Sequence, residues 1–305
     1  FPGKPLVQES ALQKMGDSLA HRGPDDRGLF IFADQRIGLA HTRLSIIDLT
    51  SAGHQPMLSR DGKIAVIFNG EIYNFRSLKR DLVTAGYQFV SESDTEVLVC
   101  GYAAWGIEGL LHRLRGMFAF ALVDAWSHEP QLFLCRDRFG IKPLYWQRNS
   151  DGLMFASEAR TIAESVGTAS LNSDTDAPAL FFMFGHIPSE GTMWKDIRML
   201  PASSYLSIRN DTVTAHTYYD RLAPFLKEKK TDADSLTAEL KELLQDTVDM
   251  HCISDAPLGI FLSGGLDSSA LVAYAALRRG GLTTLSVDFD VAGASETRYQ
   301  QAVSR

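Results

Sequence analysis

The strongest chemical signal in the sequence is Ser263-Gly264-Gly265-Leu266-Asp267-Ser268-Ser269, set between an apolar run ending at Leu262 and a helical pattern. Two glycines let a backbone approach an anion closely. The N–H groups that open a helix point at such an anion with the favourable end of the helix dipole. The hydroxyls of Ser263, Ser268 and Ser269 add donors for phosphate oxygens. No GxxxxGK[ST] pattern is present, so this is not the common P-loop, and without a lysine a triphosphate here calls for Mg²⁺ to offset its charge. The sequence assigns no metal ligand; Asp267 either orients the ion or braces the turn. A serine-capped βα turn is the plain alternative for so short a run.

A second set of candidates lies upstream. Arg43 carries a planar fork suited to a carboxylate, although an isolated arginine is better read as one half of a surface ion pair. Asn69-Gly70, followed by Glu71, reads on its own as a breaker or hairpin turn. Asp94 stands just before a helical pattern, where a cap residue is also expected. Cys100, Cys135 and Cys252 are far apart with no CxxC spacing, which argues against a disulfide framework or a zinc site and suits a reducing cytoplasm.

The elements that must position these groups change character along the chain. Leu12, Met15 and Leu19 predict a helix over 8–20, ended by Gly23-Pro24. Strand-like runs follow at Gly28–Phe32, Ile37–His41, Leu44–Ile47 and Lys63–Phe68, then helices at Phe75–Ala85 and Thr95–Trp105. Met117–Val123 and Gln131–Cys135 read as a strand pair. Beyond about residue 210 the pattern becomes helix Asp234–Cys252, strand Leu258–Leu262, helix Ser269–Arg279 and strand Leu282–Phe289. That order is a βαβ unit with a parallel pair. Two domains are expected, 1–210 and 211–305, the second incomplete because one βαβ unit cannot cover both faces of a parallel sheet. The start at Phe1-Pro2-Gly3, without Met, likewise predicts a fragment.

Bulk composition narrows the partners. Hydrophobic residues make up 45% and charged residues 22%, ordinary for a globular protein, and the formal charge of −7 speaks against a nucleic-acid partner. No apolar run approaches the roughly 20 residues of a membrane helix.

The seven-residue loop resembles the signature of the ATP pyrophosphatases. His21-Arg22-Gly23-Pro24-Asp25, Arg43-Leu44-Ser45-Ile46-Ile47-Asp48, Asn69-Gly70-Glu71-Ile72-Tyr73-Asn74, Ser93-Asp94-Thr95-Glu96 and Arg136–Tyr145 come in the order seen in class II glutamine amidotransferases. Together with the loop they resemble the glutamine-hydrolysing asparagine synthetases. The resemblance implies an α+β N-terminal-nucleophile sandwich of stacked antiparallel sheets, followed by an α/β parallel-sheet ATP-pyrophosphatase domain. It implies that Arg43 meets the glutamine α-carboxylate, that Asn69 and the N–H of Gly70 form the oxyanion hole, and that Glu71 and Asp94 hold the substrate, Asp94 answering its ammonium. It also implies that Leu262 and Val287 flank an adenine, though both suit a strand core equally well, and that Ser263 to Ser269 hold the phosphates.

The activity so implied is asparagine formation from aspartate, glutamine and ATP through a β-aspartyl-adenylate, in the cytoplasm, with no membrane partner and compatible with a homodimer. The family's nucleophile is an N-terminal Cys, which none of the three cysteines here replaces, so the fragment itself is expected to lack glutaminase activity. Amide-forming relatives of other acceptor specificity, such as a β-lactam synthetase, share the scaffold, and a non-catalytic homologue is the rival from another class. Ser203 stands after Leu200-Pro201-Ala202, where the family usually has glycine.

Overall fold

The structure, a computed structural model, describes residues 5–34, 36–127, 129–223, 226, 232–278, 280–288 and 295–304. It divides into two compact units, 1–224 and 225–305. In the first, α1 (Glu9–Ser18) leads into β1 (Asp26–Ile31), β2 (Gly38–Arg43), β3 (Met57–Leu58) and β4 (Ile64–Ile72). Helices α2 (Phe75–Thr84) and α3 (Thr95–Arg113) precede β5 (Gly116–Asp124), β6 (Gln131–Arg136), β7 (Tyr145–Arg148) and β8 (Leu153–Ala156). Then come α4 (Ala159–Val166), α5 (Ala177–Phe184), β9 (Ile197–Met199), β10 (Ser204–Arg209) and β11 (Thr212–Thr217).

One sheet is six-stranded and antiparallel throughout, in the order β11-β10-β6-β5-β4-β3. Facing it are the β1–β2 hairpin and the three-stranded sheet β8-β7-β9. Strand alternation puts Leu39 on one side of β2 and Ala65 on the matching side of β4, and both join one core with Ala121, Leu134 and Leu206. Helix α1 packs on the outer face of the hairpin and α4 on that of the three-stranded sheet, while α3 backs the six-stranded one and α2 packs on α3. The stacked antiparallel sheets expected from the sequence are present. The β10–β11 hairpin carries this unit past residue 210, where the sequence suggested a boundary.

Two local expectations are corrected. Leu44–Ile47 is not a strand, because the carbonyls just beyond Arg43 turn inward to its guanidinium. Asn69-Gly70 is no turn either: β4 runs straight through it, pairing Asn69 with Ala119 and Gly70 with Phe118. A Cβ on Gly70 would lie 2.1 Å from the Met117 carbonyl oxygen, so glycine is required here by close strand approach. The helix expected to stop at Trp105 does break there, at Gly106 with φ 66°, before helical turns resume to Arg113.

The motif Arg136–Tyr145 is a self-bracing loop. Asp137 is fully buried and its carboxylate accepts the N–H groups of Phe118, Phe139, Ile141 and Lys142. Arg136 donates to the carbonyls of Gly140, Lys142 and Leu200. Paired so completely, neither residue is left to act on a ligand.

In the second unit α6 (Ala233–His251) is capped by Asp232, whose carboxylate accepts from Ser235 N–H. Strand β12 (Gly259–Phe261), α7 (Leu266–Ala276), β13 (Thr283–Leu285) and α8 (Thr297–Ser304) follow. β12 and β13 are parallel, as the βαβ reading requires. Phe289 and Arg279, the expected ends of the last strand and helix, lie outside the described residues.

Candidate functional site

Between the two layers of sheet lies a cavity of about 1300 Å³, lined among others by His41, Arg43, Asn69, Gly70, Glu71 and Asp94. Four of these were expected from sequence to bind glutamine, and the fold brings them together. Residues 39, 41 and 43 share the inner face of β2, while 65, 67, 69 and 71 share the facing side of β4. Asp94 reaches the same cavity from the residue that opens α3.

The lateral edge of β4 explains what Gly70 offers. Phe68 N–H donates to Gln55 Oε1 at 2.7 Å and Ile72 N–H donates to Asp94 Oδ2 at 2.8 Å. Alternating backbone groups of a strand face alternating sides, so the N–H of Gly70 lies on that same edge, between them and away from β5. The side-chain Nδ2 of Asn69 is buried without a hydrogen-bond acceptor. An unspent buried donor costs about 1–3 kcal/mol, which a ligand oxygen would return.

Two acids, Glu71 and Asp94, stand near each other in the cavity. Burial, reinforced by the negative charge of Glu71, raises the Asp94 carboxyl to about 7. A cation placed beside this pair would restore its ionisation. Arg43 is not that cation. It is 6% exposed, and its Nη1 donates to Thr50 O while Nη2 donates to Ile47 O and Asp48 O. The guanidinium thus shapes the 47–50 loop first, and any carboxylate it meets approaches a fork already held in place.

His41 was missed from sequence. It is half-buried, its Nε2 lies 3.0 Å from Phe68 O, and its Nδ1, the buried end of the ring, has no partner. Burial, aided by the charge of Arg43, lowers its pKa to about 4, so the ring is neutral near pH 7. Its place two residues before Arg43 in a strand already put both side chains on one face, which is the signal that could have found it.

The helix after the glycine loop starts three residues earlier than the sequence suggested, within the loop itself. α7 begins at Leu266 with Gly265 as its N-cap, and no side chain caps it. Gly265 is extended (φ −70°), whereas Gly264 takes the left-handed region (φ 87°). Ser263 and Ser268 hydroxyls lie 2.9 Å apart, and Ser263 Oγ accepts from Gly265 N–H at 3.3 Å. Leu266 and Asp267 are exposed at the opening of the helix, while Ser269 N–H is already used by Gly265 O. Leu262 is buried in the strand layer and its carbonyl accepts from Ser286 Oγ; Val287 is exposed.

The glutamine amidotransferase domain family matches residues 3–219. The chain belongs to that family. The asparagine synthase family matches residues 239–305. The glutamine-hydrolysing asparagine synthetase 1 of Bacillus subtilis is 38% identical over 290 residues, covering 95% of this chain and 44% of that protein. Asparagine synthetase 3 of the same organism is 34% identical over 299 residues, covering 94% and 47%. An amidase of Gibberella zeae is 34% identical over 271 residues, covering 88% and 39%. The chain therefore spans less than half the length of these relatives. Among solved structures, the glutamine phosphoribosylpyrophosphate amidotransferase of Bacillus subtilis, complexed with ADP and GMP, superposes with a TM-score of 0.54 at 16% identity. That match covers 98% of this chain and 69% of the other, and it supports the fold of stacked antiparallel sheets expected from the sequence.

Proposed function

We propose that this chain is the glutamine-hydrolysing and nucleotide-binding part of an ATP-dependent asparagine synthetase. The observation that carries the reading is the juxtaposition of an unspent donor, Asn69 Nδ2, with an uncompensated buried acid, Asp94, in one cavity. Glutamine supplies what each lacks. Its ammonium offsets Asp94 and Glu71, and its carboxamide oxygen takes the hydrogen bonds of Asn69 Nδ2 and Gly70 N–H as charge develops on it. Its α-carboxylate faces Arg43.

Cys100, Cys135 and Cys252 do not line the cavity, and burial pushes the Cys100 thiol up to about 11 and the Cys135 thiol well above its usual range. The attacking thiolate is none of these three. In the second unit, the loop 263–269 presents its first-turn N–H groups to the phosphates of ATP, and ATP activates the aspartate β-carboxylate by adenylation, which gives ammonia a displaceable group. Mg²⁺ is commonly held by one or two carboxylates together with substrate phosphates, and exposed Asp267 within the loop fits that donor set. Bound there, the ion would neutralise phosphate charge.

Among the described residues no helix is long and apolar enough to cross a membrane. On this reading the protein works in the cytoplasm on small molecules, and light scattering decides whether it is a homodimer. The similarity to an amidase favours one variant of the reading, in which the same two sites serve another acceptor. The deciding experiment supplies the full-length protein with glutamine, ATP and aspartate. Equimolar glutamate, AMP, pyrophosphate and asparagine are expected. Glutamate release without aspartate-dependent pyrophosphate would point to a different acceptor, and no glutamate release would reject the reading.

A further inference from the structure

Strand β3 pairs with β4 only at Met57 and Leu58, opposite Val66 and Ala65. Beyond them, among the described residues, the edge of β4 runs on through residues 68, 70 and 72 without a neighbouring strand. An uncovered edge in a half-buried sheet leaves backbone groups to be satisfied by side chains. At Phe68 two side chains do this: Gln55 Oε1 accepts its N–H at 2.7 Å, and His41 Nε2 lies 3.0 Å from its carbonyl oxygen. The carbonyl can only accept, so Nε2 carries the proton and Nδ1, with no partner, is the bare lone pair. Arg43 and His54 both oppose a second proton on the ring, and Asp26, the acid that favours one, does not outweigh burial. His41 is a fixed neutral donor.

The clamped carbonyl belongs to the peptide that joins Phe68 to Asn69. Rotation of that peptide would swing the Asn69 side chain out of the cavity and turn the following N–H of Gly70 off the strand edge. We infer that His41 is a positioning residue for glutamine hydrolysis, holding the Phe68–Asn69 peptide so that Asn69 Nδ2 and Gly70 N–H converge on one oxygen. This rests on the glutaminase reading above. It adds a residue from the facing sheet, so the donor pair on β4 is aligned across the gap between layers and not by its own strand alone.

The test compares three variants of the full-length protein. Glutamine places a nitrogen near the position of Nε2, asparagine cannot reach so far, and phenylalanine keeps the ring volume without a donor. His41→Phe is expected to lower kcat for glutamine hydrolysis by about 10–100-fold, with KM for glutamine changed by less than about threefold, the pattern of an interaction lost in the transition state. His41→Gln is expected to recover most of kcat and His41→Asn to resemble the phenylalanine variant. Amide formation from ammonia should be unaffected in all three, which shows that they fold. Unchanged kcat in His41→Phe, or a glutamine variant no better than the asparagine one, overturns the inference. So does a change confined to KM. If His41→Phe does not fold, the order of the glutamine and asparagine variants decides alone. Failure of the unsubstituted protein to release glutamate would instead reject the glutaminase reading, and this inference with it.

Discussion

The carboxylate of Asp94 accepts the N–H of Ile72 at 2.8 Å, tying the residue that opens α3 to the end of the strand that carries Asn69, Gly70 and Glu71. One acid therefore both fixes the strand edge and charges the cavity. These two duties pull its pKa in opposite directions. Burial, with Glu71 beside it, prevails over the hydrogen bond and raises it to about 7.

The first prediction follows from that shift. A carboxyl whose folded pKa exceeds its unfolded value binds its proton more tightly in the folded state. Its contribution to stability is therefore complete below the usual 3.8 and declines as pH rises to about 7. Thermal melts of the unliganded protein should show that decline and a plateau above it, and Asp94→Asn should remove it. Glutamine binding should run the other way, because its ammonium prefers the ionised acid. KM for glutamine is expected to rise by up to about tenfold for each pH unit below 7 and to level off above it. A KM that is flat across this range would show that Asp94 does not meet the ammonium.

Asn69→Ala removes a donor that has no other partner. The expectation is a loss of about 10²–10³ in kcat for glutamine hydrolysis with a small change in KM. Steady-state kinetics at saturating glutamine measures it. Loss expressed in KM alone would place Asn69 in ground-state binding.

Arg43→Ala should do two things, since the side chain holds three carbonyls as well as facing the cavity. Leaving those acceptors unpaired is expected to cost about 1–3 kcal/mol of stability each at most, read from denaturant unfolding. KM for glutamine should rise strongly while synthesis from ammonia survives at temperatures below the lowered Tm. Equal loss of both activities well below that Tm would assign Arg43 a purely structural role.

Ser203 occupies the left-handed region at φ 62°, and its hydroxyl donates to Arg138 O at 2.7 Å. Serine at this position thus carries backbone strain and gains a hydrogen bond. Ser203→Gly relieves the first and loses the second, so its stability should stay within about 1 kcal/mol of the parent. Ser203→Ala keeps the strain and loses the bond, and should be the least stable of the three. Differential scanning calorimetry gives the order; an alanine variant as stable as the parent would refute this reading.

What the sequence disclosed and what it hid divide along physical lines. Periodicity found α1, α2, α6 and the break in α3, because helices answer to local residue spacing. It misread Leu44–Ile47, whose β-branched residues suit a strand, because the carbonyls there are claimed by the buried guanidinium of Arg43. Asn69-Gly70 looks like a turn within its own dipeptide. The pairing with Ala119 and Phe118, some fifty residues along the chain, holds it extended. Arg43, Asn69, Glu71 and Asp94 were legible through their motifs, and the cavity gathers all four. His41 is a different matter: its place on the inner face follows from alternation, but the bare Nδ1 and the clamped carbonyl exist only across two sheets. In the loop 263–269 the sequence marked both glycines without separating them, and backbone geometry assigns the left-handed conformation to Gly264.

That assignment supplies the most direct test of the central claim, that one protein couples glutamine hydrolysis to ATP-dependent amide formation at two separate sites. A Cβ on Gly264 would lie 2.8 Å from the Cβ of Tyr299, and φ 87° disfavours any branched residue. In the full-length protein, Gly264→Val should abolish pyrophosphate release with aspartate and ammonium while glutamate release from glutamine continues, the two assays being run side by side. Pyrophosphate release at the parental rate would contradict the account, because the loop would then not be where ATP is held.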